Sequence, residues 1–302
     1  MKKITDELTT IRDFIRYGVS RFNKAGISDS RNLENIFDET LFLVFETLGL
    51  PVDDMDVYLD ARLTEEERAE VTDIIDKRIK TRKPTAYLTK RAHVGDFSFY
   101  VDEHVAVPRS FLAELLYSEL VSDEDRVLID DTSQISTVLD LCTGSGCLAV
   151  IAAHLFPEAE VDAVDVSLEA LAIAKTNVEE SYLKSRITLI EGDLFTPVRG
   201  RRYDLIIANP PSIPNSAMES LPPEYRHEPK EALAGGEDGL DFVRKILKEA
   251  PDYLSENGAI LCEVSVGREK LEAEYPHIEF TWIDSDDSDN QIFWLTYDEL
   301  IF

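Results

Sequence analysis

Of the 302 residues only three are cysteine, Cys142, Cys147 and Cys262, and two of these flank a glycine turn. So few cysteines build no disulfide framework, and a reducing compartment, the cytoplasm, is the expected location. Long apolar runs are missing too. No stretch reaches the ~18 residues that would mark a membrane span. The opening MKKITDELTT carries Asp6 and Glu7 and no apolar core, unlike a secretory leader. Basic residues are scarce: 31 Lys and Arg stand against 60 Asp and Glu, a formal net charge of −29. Free nucleic acid, which needs clustered cations, is therefore a poor partner. A strongly basic protein would instead be steered in by long-range attraction, although solubility or salt adaptation accounts for the same charge. The five histidines, His93, His104, His154, His227 and His277, show no zinc-ligand spacing. The acidic turn at 284–289 lacks the glycine and spaced glutamate of a calcium loop, so no metal is expected. Repeats and low-complexity segments are absent.

What is present falls into three parts, with a length sufficient for two domains. Residues 1–84 read as a helical domain. Ile4, Leu8, Ile11, Phe14, Ile15 and Val19 recur at helical spacing, as do Leu33, Ile36, Phe37, Leu41, Val44, Phe45 and Leu48. Thr64 and Glu67 form a capping box for a third helix, which Pro84 ends. Residues 85–110 alternate apolar and polar around Gly95 and predict a β-hairpin linker. Residues 111–302 open with a helix over 110–120 and a polar loop over 123–134. Strands and helices then alternate, which implies a parallel sheet covered on both faces. Strands are expected at 138–141, 161–164, 187–190, 203–208, 259–264, 278–283 and 291–296. Helices are expected at 148–156, 167–180 and 242–254, with Gly258 marking the turn before the fifth strand.

The first of these strands runs into Cys142, Thr143, Gly144, Ser145 and Gly146 and then a helix. Glycines there permit positive φ and close approach of a nucleotide-like cofactor at the carboxyl ends of parallel strands. Gly144 to Ala149 also fits the dinucleotide pattern G-x-G-x-x-A. Asp165, nineteen residues after Gly146, can accept ribose hydroxyls in either class. Asp193 and Leu194 close the third strand, where an adenine would lie. The fourth ends in Asn209-Pro210-Pro211, for which a nicotinamide oxidoreductase has no use.

The strand-end Asp140 with its glycine turn, Asp165, Gly192-Asp193-Leu194 and Asn209-Pro210-Pro211, in this order, resemble an S-adenosylmethionine-dependent methyltransferase that modifies amino groups. Arg82-Lys83-Pro84 with Tyr87, Val107-Pro108-Arg109, the Glu224-Tyr225-Arg226-His227-Glu228-Pro229 run, and Gly236 with Asp238-Gly239-Leu240 narrow this. They resemble the protein-(glutamine-N5) methyltransferases, in the branch that modifies ribosomal protein L-three of the large subunit. The resemblance spans the chain from the first helix to Leu295. It implies a Rossmann-like seven-stranded methyltransferase domain with the last strand antiparallel, and an N-terminal helical domain that selects the substrate. It also implies a cofactor site at Arg109, Asp140, Cys142, Thr143, Gly144, Gly146, Asp165, Val166, Asp193, Leu194 and Asn209. Arg109 has two readings, the methionine carboxylate region or a nearby acid. Catalysis is assigned to Asn209 and Pro210. Substrate contacts are assigned to Pro211, Ser212, Glu224, Tyr225 and His227, with loop ordering as the other reading of the charged run and loss of a proton to His227 as a dispensable extra.

The chemistry suits these residues. A glutamine amide is a poor nucleophile, and two acceptors on its two N–H groups would orient it and favour charge building on nitrogen. The Asn209 side-chain oxygen and the Pro210 carbonyl supply them, and proline brings no competing N–H. Three positions depart from the family. Ser212 stands where relatives carry an aromatic that packs on the acceptor amide. Its hydroxyl is a competitor for that amide, and Tyr225 a replacement ring. Lys90 stands where relatives carry glycine, and the acidic turn at 284–289 replaces a glycine-rich one. Alternatives to the L-three assignment are glutamine methylation of peptide-chain release factors, methylation of adenine amino groups in nucleic acid, and a cofactor-binding but inactive assembly factor. The missing basic face and Ser212, which cannot stack on a flipped base, argue against the nucleic-acid substrate.

Overall fold

The structure is a computed structural model that describes residues 7–28, 35–118, 128–129, 131–283 and 291–301. Ile4, Leu33, the acidic turn at 284–289, and parts of the expected helix at 110–120 and loop at 123–134 lie outside these residues. Two units divide the chain: Met1–Arg91 with Pro222–His227, and Ala92–Leu221 with Glu228–Phe302.

In the first unit, α1 (Ile11–Ala25) is opened by a capping box of Thr10 and Asp13, so Leu8 lies ahead of the helix rather than in its first turn. The helix ends at Gly26, φ 58°. Asn35 caps α2 (Ile36–Leu48), which Gly49 closes. A short turn, α3 (Met55–Tyr58), precedes α4 (Glu65–Thr81), whose Thr64–Glu67 capping box is the one read from the sequence. Arg82, at φ 59°, ends α4 two residues before Pro84. A further turn, α5 (Thr85–Thr89), occupies part of the segment expected to be hairpin. Phe14, Phe22, Leu43, Phe45, Val71 and Ile75 make the core. A Cβ on Gly18 would lie 2.5 Å from the Thr40 methyl, so α1 and α2 approach closely there.

Arg78 on α4 is fully buried. Its guanidinium donates to Glu39 (2.6 Å), to Glu224 (3.3 Å) and to the Ser28 carbonyl (3.1 Å). Arg82 also pairs with Glu224, at 2.9 Å. The Pro222–His227 segment is thereby held by charge within this unit.

The second unit begins at Ala92, within the hairpin of β1 (Arg91–Val94) and β2 (Phe97–Tyr100), turned at Gly95 with φ 54°. The helix α6 (Phe111–Ser118) leads to the main sheet. Its strands are β3 (Thr137–Leu141), β4 (Glu160–Asp165), β5 (Ile187–Glu191), β6 (Tyr203–Ala208), β7 (Leu254–Val264), β8 (Thr281–Ile283) and β9 (Gln291–Thr296). Their order is β5-β4-β3-β6-β7-β9-β8, with β9 antiparallel to both its neighbours. The central strands are buried on both faces, as parallel strands between helices are. One face packs on α6, α7 (Cys147–Leu155) and α8 (Leu168–Glu180). The other packs on α9 (Asp241–Glu249) and α10 (Arg268–Glu274).

The sequence reading also shifts within the sheet: the strand expected at 278–283 is only Thr281–Ile283. The helix expected through residue 254 stops at Glu249, followed by a tight turn at Ala250–Asp252, and β7 already starts at Leu254. Pro251 lacks the N–H that would continue the helix. Gly258 therefore lies inside β7, where pairing with β6 slips between Tyr203–Leu254 and Leu205–Ala259. A Cβ there would meet the Tyr203 carbonyl at 2.7 Å. Among the described residues no helix is long and apolar enough to cross a membrane.

Candidate active site

The carboxyl ends of β3, β4, β5 and β6 line up along one edge of the sheet. After β3 the backbone turns sharply. Cys142, Gly144 and Gly146 all have positive φ, at 60°, 54° and 78°. For the cysteine this is a strained conformation of the kind that gathers at functional loops. The turn is held from beneath: the Thr143 N–H donates to the Val164 carbonyl at 3.0 Å, and Gly146 N–H to the Thr143 carbonyl at 2.8 Å. The Asp165 carboxylate accepts from Gly144 N–H (2.8 Å) and from Ser167 N–H (2.9 Å), joining the turn to the start of α8. A Cβ on Gly146 would sit 3.1 Å from the Ala174 Cβ, so this glycine lets α8 pack close. A Cβ on Gly144 would meet nothing nearer than 4.0 Å, which leaves that side open. Asn177, buried on α8, donates to the Ser145 carbonyl and accepts from Tyr100 N–H, tying the turn to the hairpin.

Asp140 is completely buried beneath the turn. One oxygen accepts from the Thr143 hydroxyl, and the Ala149 backbone N–H at the start of α7 also faces the carboxyl. Burial, with Asp165 nearby, pushes its pKa up to about 7. Burial also raises the Asp165 pKa. Val166 is 66% exposed, a large uncovered apolar surface beside the turn. Asp193 is exposed after β5, and Leu194 is buried with φ 47°. An open glycine backbone, a strand-end carboxylate and an uncovered apolar side chain together fit a nucleoside-type group. Burial raises the thiol pKa of Cys142, Cys147 (to about 12) and Cys262, so they stay protonated rather than nucleophilic.

The second half of the site follows β6. Asn209 is partly exposed, and Pro210, Pro211 and Ser212 are buried. The Asn209 side-chain NH2 donates to the buried Glu263 at 3.3 Å. Glu263 also accepts from the Ser110 hydroxyl and from Leu112 N–H at 3.2 Å. Sequence reasoning passed over this glutamate. Its signal was an acid near the end of the otherwise apolar run 259–264.

The Ser212 hydroxyl is engaged with Ser265. The two Oγ atoms lie 2.7 Å apart and Ser265 N–H donates to Ser212 Oγ at 3.1 Å. It therefore serves the loop after β7. The loop over residues 233–239 clamps the same segment, with Ile213 N–H to the Leu233 carbonyl (2.9 Å) and Gly235 N–H to the Ile213 carbonyl (2.8 Å). Added Cβ atoms on Gly235 and Gly239 would fall 2.6 Å from the Pro211 carbonyl and 2.4 Å from the Ser212 carbonyl. Asp238 on this loop is anchored by Arg244 and Lys270, whose bonds hold its carboxyl well below the usual range.

Arg109 pairs with the buried Glu228, which also accepts from Val107 N–H at 3.1 Å. Glu224, Tyr225 and His227 belong to the N-terminal unit. Glu224 is buried and ion-paired, and His227 Nε2 lies 2.9 Å from the Thr81 carbonyl.

A sheet with one reversed strand, a glycine turn after its first strand and Asn-Pro-Pro after its fourth define a Rossmann-like methyltransferase. The family model of the methyltransferase small domain matches residues 117–220. The chain is 46% identical over 295 residues to the ribosomal protein uL3 glutamine methyltransferase of Bradyrhizobium diazoefficiens, covering 97% of this chain and 92% of that one. It is 48% identical to the protein of the same name from Neisseria meningitidis serogroup A, covering 98% and 95%. The chain belongs to the ribosomal protein uL3 glutamine methyltransferase family. Among solved structures, the hMettl16 catalytic domain in complex with MAT2A 3'UTR hairpin 1 has a TM-score of 0.51 at 13% identity, covering 86% and 91%, a likeness of fold.

Proposed function

We propose that this protein methylates the side-chain amide nitrogen of a glutamine in ribosomal protein uL3, with S-adenosylmethionine as cofactor. The observation that carries this is near-full-length identity to the uL3 enzymes, joined to Asn209-Pro210 at the end of β6 on the same sheet edge as the glycine turn. When bound, the sulfonium supplies an electrophilic methyl, the S–CH3 bond breaking as the N–CH3 bond forms. Gly144 gives it backbone access, Asp165 and Asp193 offer acceptors for hydroxyl and amino groups, and Val166 and Leu194 offer apolar contact. Cys142, Thr143 and Gly146 shape the turn, Asp140 supports it from below, and Arg109 acts through Glu228.

Asn209 Oδ1 and the Pro210 carbonyl each accept one N–H of the substrate amide. That holds the nitrogen in line and stabilises positive charge as it develops. The methylated amide cation is strongly acidic and gives its proton to water, so no protein base is required. Pro211 and the Ser212 backbone flank Asn209-Pro210 and contact the substrate. Residues 1–84, the hairpin at 85–110 and the domain at 111–302 act as recognition domain, linker and catalytic domain, with Tyr225 and His227 contributing to substrate choice. The −29 charge draws in a basic ribosomal protein, in the cytoplasm. The test is methyl transfer from labelled cofactor to unmethylated uL3, with a release factor as the second arm. Label mapped to one uL3 glutamine supports the reading. Label on the release factor alone moves the substrate, and label on neither rejects it.

A further inference from the structure

We infer that Glu263 is a positioning residue for the reaction: it fixes which way the Asn209 amide faces, and links that choice to the start of α6. This rests on the reading of Asn209 as the residue that binds the acceptor amide. Side chains alternate across a strand, so Leu205, Ile207 and Asn209 share one face of the sheet with Ala259, Leu261 and Glu263. Leu205 and Leu261 are buried in the core beneath α6, and the register pairs Ala208 with Cys262. The apolar face of two adjacent strands thus ends in one polar pair at the edge that carries the site.

An amide side chain has a donor end and an acceptor end, and only the acceptor end can hold a substrate N–H. A carboxylate accepts only. The Glu263 Oε2 atom receives Asn209 Nδ2, Ser110 Oγ and Leu112 N–H together. The flipped Asn209 would set its oxygen against that acceptor and leave its NH2 to repel the substrate NH2. Glu263 therefore selects the productive rotamer. Ser110 and Leu112 flank the first residue of α6, directly after Pro108-Arg109. A shift of that segment is felt at Asn209 through one oxygen atom.

The experiment is a double-mutant cycle on uL3 methylation with Asn209→Ala, Glu263→Leu and the pair, together with cofactor titration. Glu263→Leu is expected to lower kcat by up to ~100-fold, the scale of a misplaced positioning group, with cofactor affinity little changed. The pair should be no slower than Asn209→Ala alone. Losses that multiply, or an unchanged kcat in Glu263→Leu, would overturn the inference. A second pair does not depend on Glu263→Leu folding. Asn209→Asp sets carboxylate against carboxylate, and adding Glu263→Gln restores a donor facing an acceptor, so kcat should recover in part. No recovery overturns the inference. The Asn209 side-chain NH2 resonance reads the same bond without substrate: slow hydrogen exchange in the natural chain, fast in Glu263→Leu. An enzyme that leaves uL3 unmethylated but keeps this resonance pattern would reject the substrate reading alone; fast exchange in the natural chain would reject the positioning of Asn209.

Discussion

Two sets of buried carboxylates are held in different ways. In the N-terminal unit, Glu39 and Glu224 face Arg78, with Arg82 also on Glu224. In the second unit, Asp140 accepts from the Thr143 hydroxyl, and Glu263 from Ser110, Leu112 and Asn209. The first arrangement is mainly charge against charge, with the Thr85 hydroxyl also on Glu39, and fixes a chain segment. The second uses hydroxyl and amide donors and aims side chains at the edge of the sheet where a ligand would lie. Glu39 and Glu224 thus serve assembly and Glu263 serves orientation, while Glu228, paired with Arg109, repeats the first pattern inside the second unit.

The largest expected break in this comparison is Arg78→Met. It leaves Glu39 without its arginine and Glu224 with one fewer, and removing one partner of a buried ion pair costs roughly 3–5 kcal/mol. Chemical denaturation should show that loss; a change under ~1 kcal/mol would mean the network is not the anchor described. Next comes Ser212→Tyr. The family aromatic would have to enter a buried position whose hydroxyl serves Ser265 and whose backbone touches the Gly235–Gly239 loop. Overpacking of this kind costs about 1–3 kcal/mol. The variant should melt lower than the natural chain and should not gain activity; a faster enzyme would show that the aromatic still fits.

A pH experiment sharpens the other half. The Asp140 pKa is raised to about 7 in the folded protein, above its unfolded value, so the folded state holds the proton more tightly. Its contribution to stability is complete below the unfolded pKa, near ~4, and is lost as pH rises to about 7. Asp140→Asn keeps an acceptor for Thr143 and carries no charge. The stability difference between variant and natural chain should therefore move in the variant's favour over that window, and a flat difference would contradict the raised pKa. The smallest effect is at Lys90, φ 62°, a backbone conformation that favours glycine. Left-handed backbone costs a side chain of this kind ~1 kcal/mol, so Lys90→Gly should raise the unfolding midpoint slightly. A fall would show that the lysine's contacts outweigh the strain.

The sheet was legible because its parts announce themselves locally. Tyr203–Ala208 and Gln291–Thr296 are apolar runs bounded by turn residues, and both strands fall where expected. The Thr64 capping box is equally local. Boundaries set by backbone conformation were not legible, as at Arg82, where a non-glycine residue adopts positive φ and ends α4 before the proline. The glycine turn, Asp165 and Asn209 could be picked out, since spacing and strand ends mark them. Glu263 could not, because its partners Ser110 and Asn209 are 153 and 54 residues away. Ser212 read as a lost aromatic; only the fold shows its hydroxyl committed to Ser265.

The most direct test of the central claim is the single-turnover rate of methyl transfer to uL3 at saturating cofactor, with Asn209→Ala beside the natural chain. The account predicts label on one glutamine side-chain nitrogen. It also predicts a roughly 100–1,000-fold slower rate in the variant, the scale of one lost transition-state hydrogen bond, with cofactor affinity kept. Equal rates in the two proteins, or label on another residue type, would contradict it.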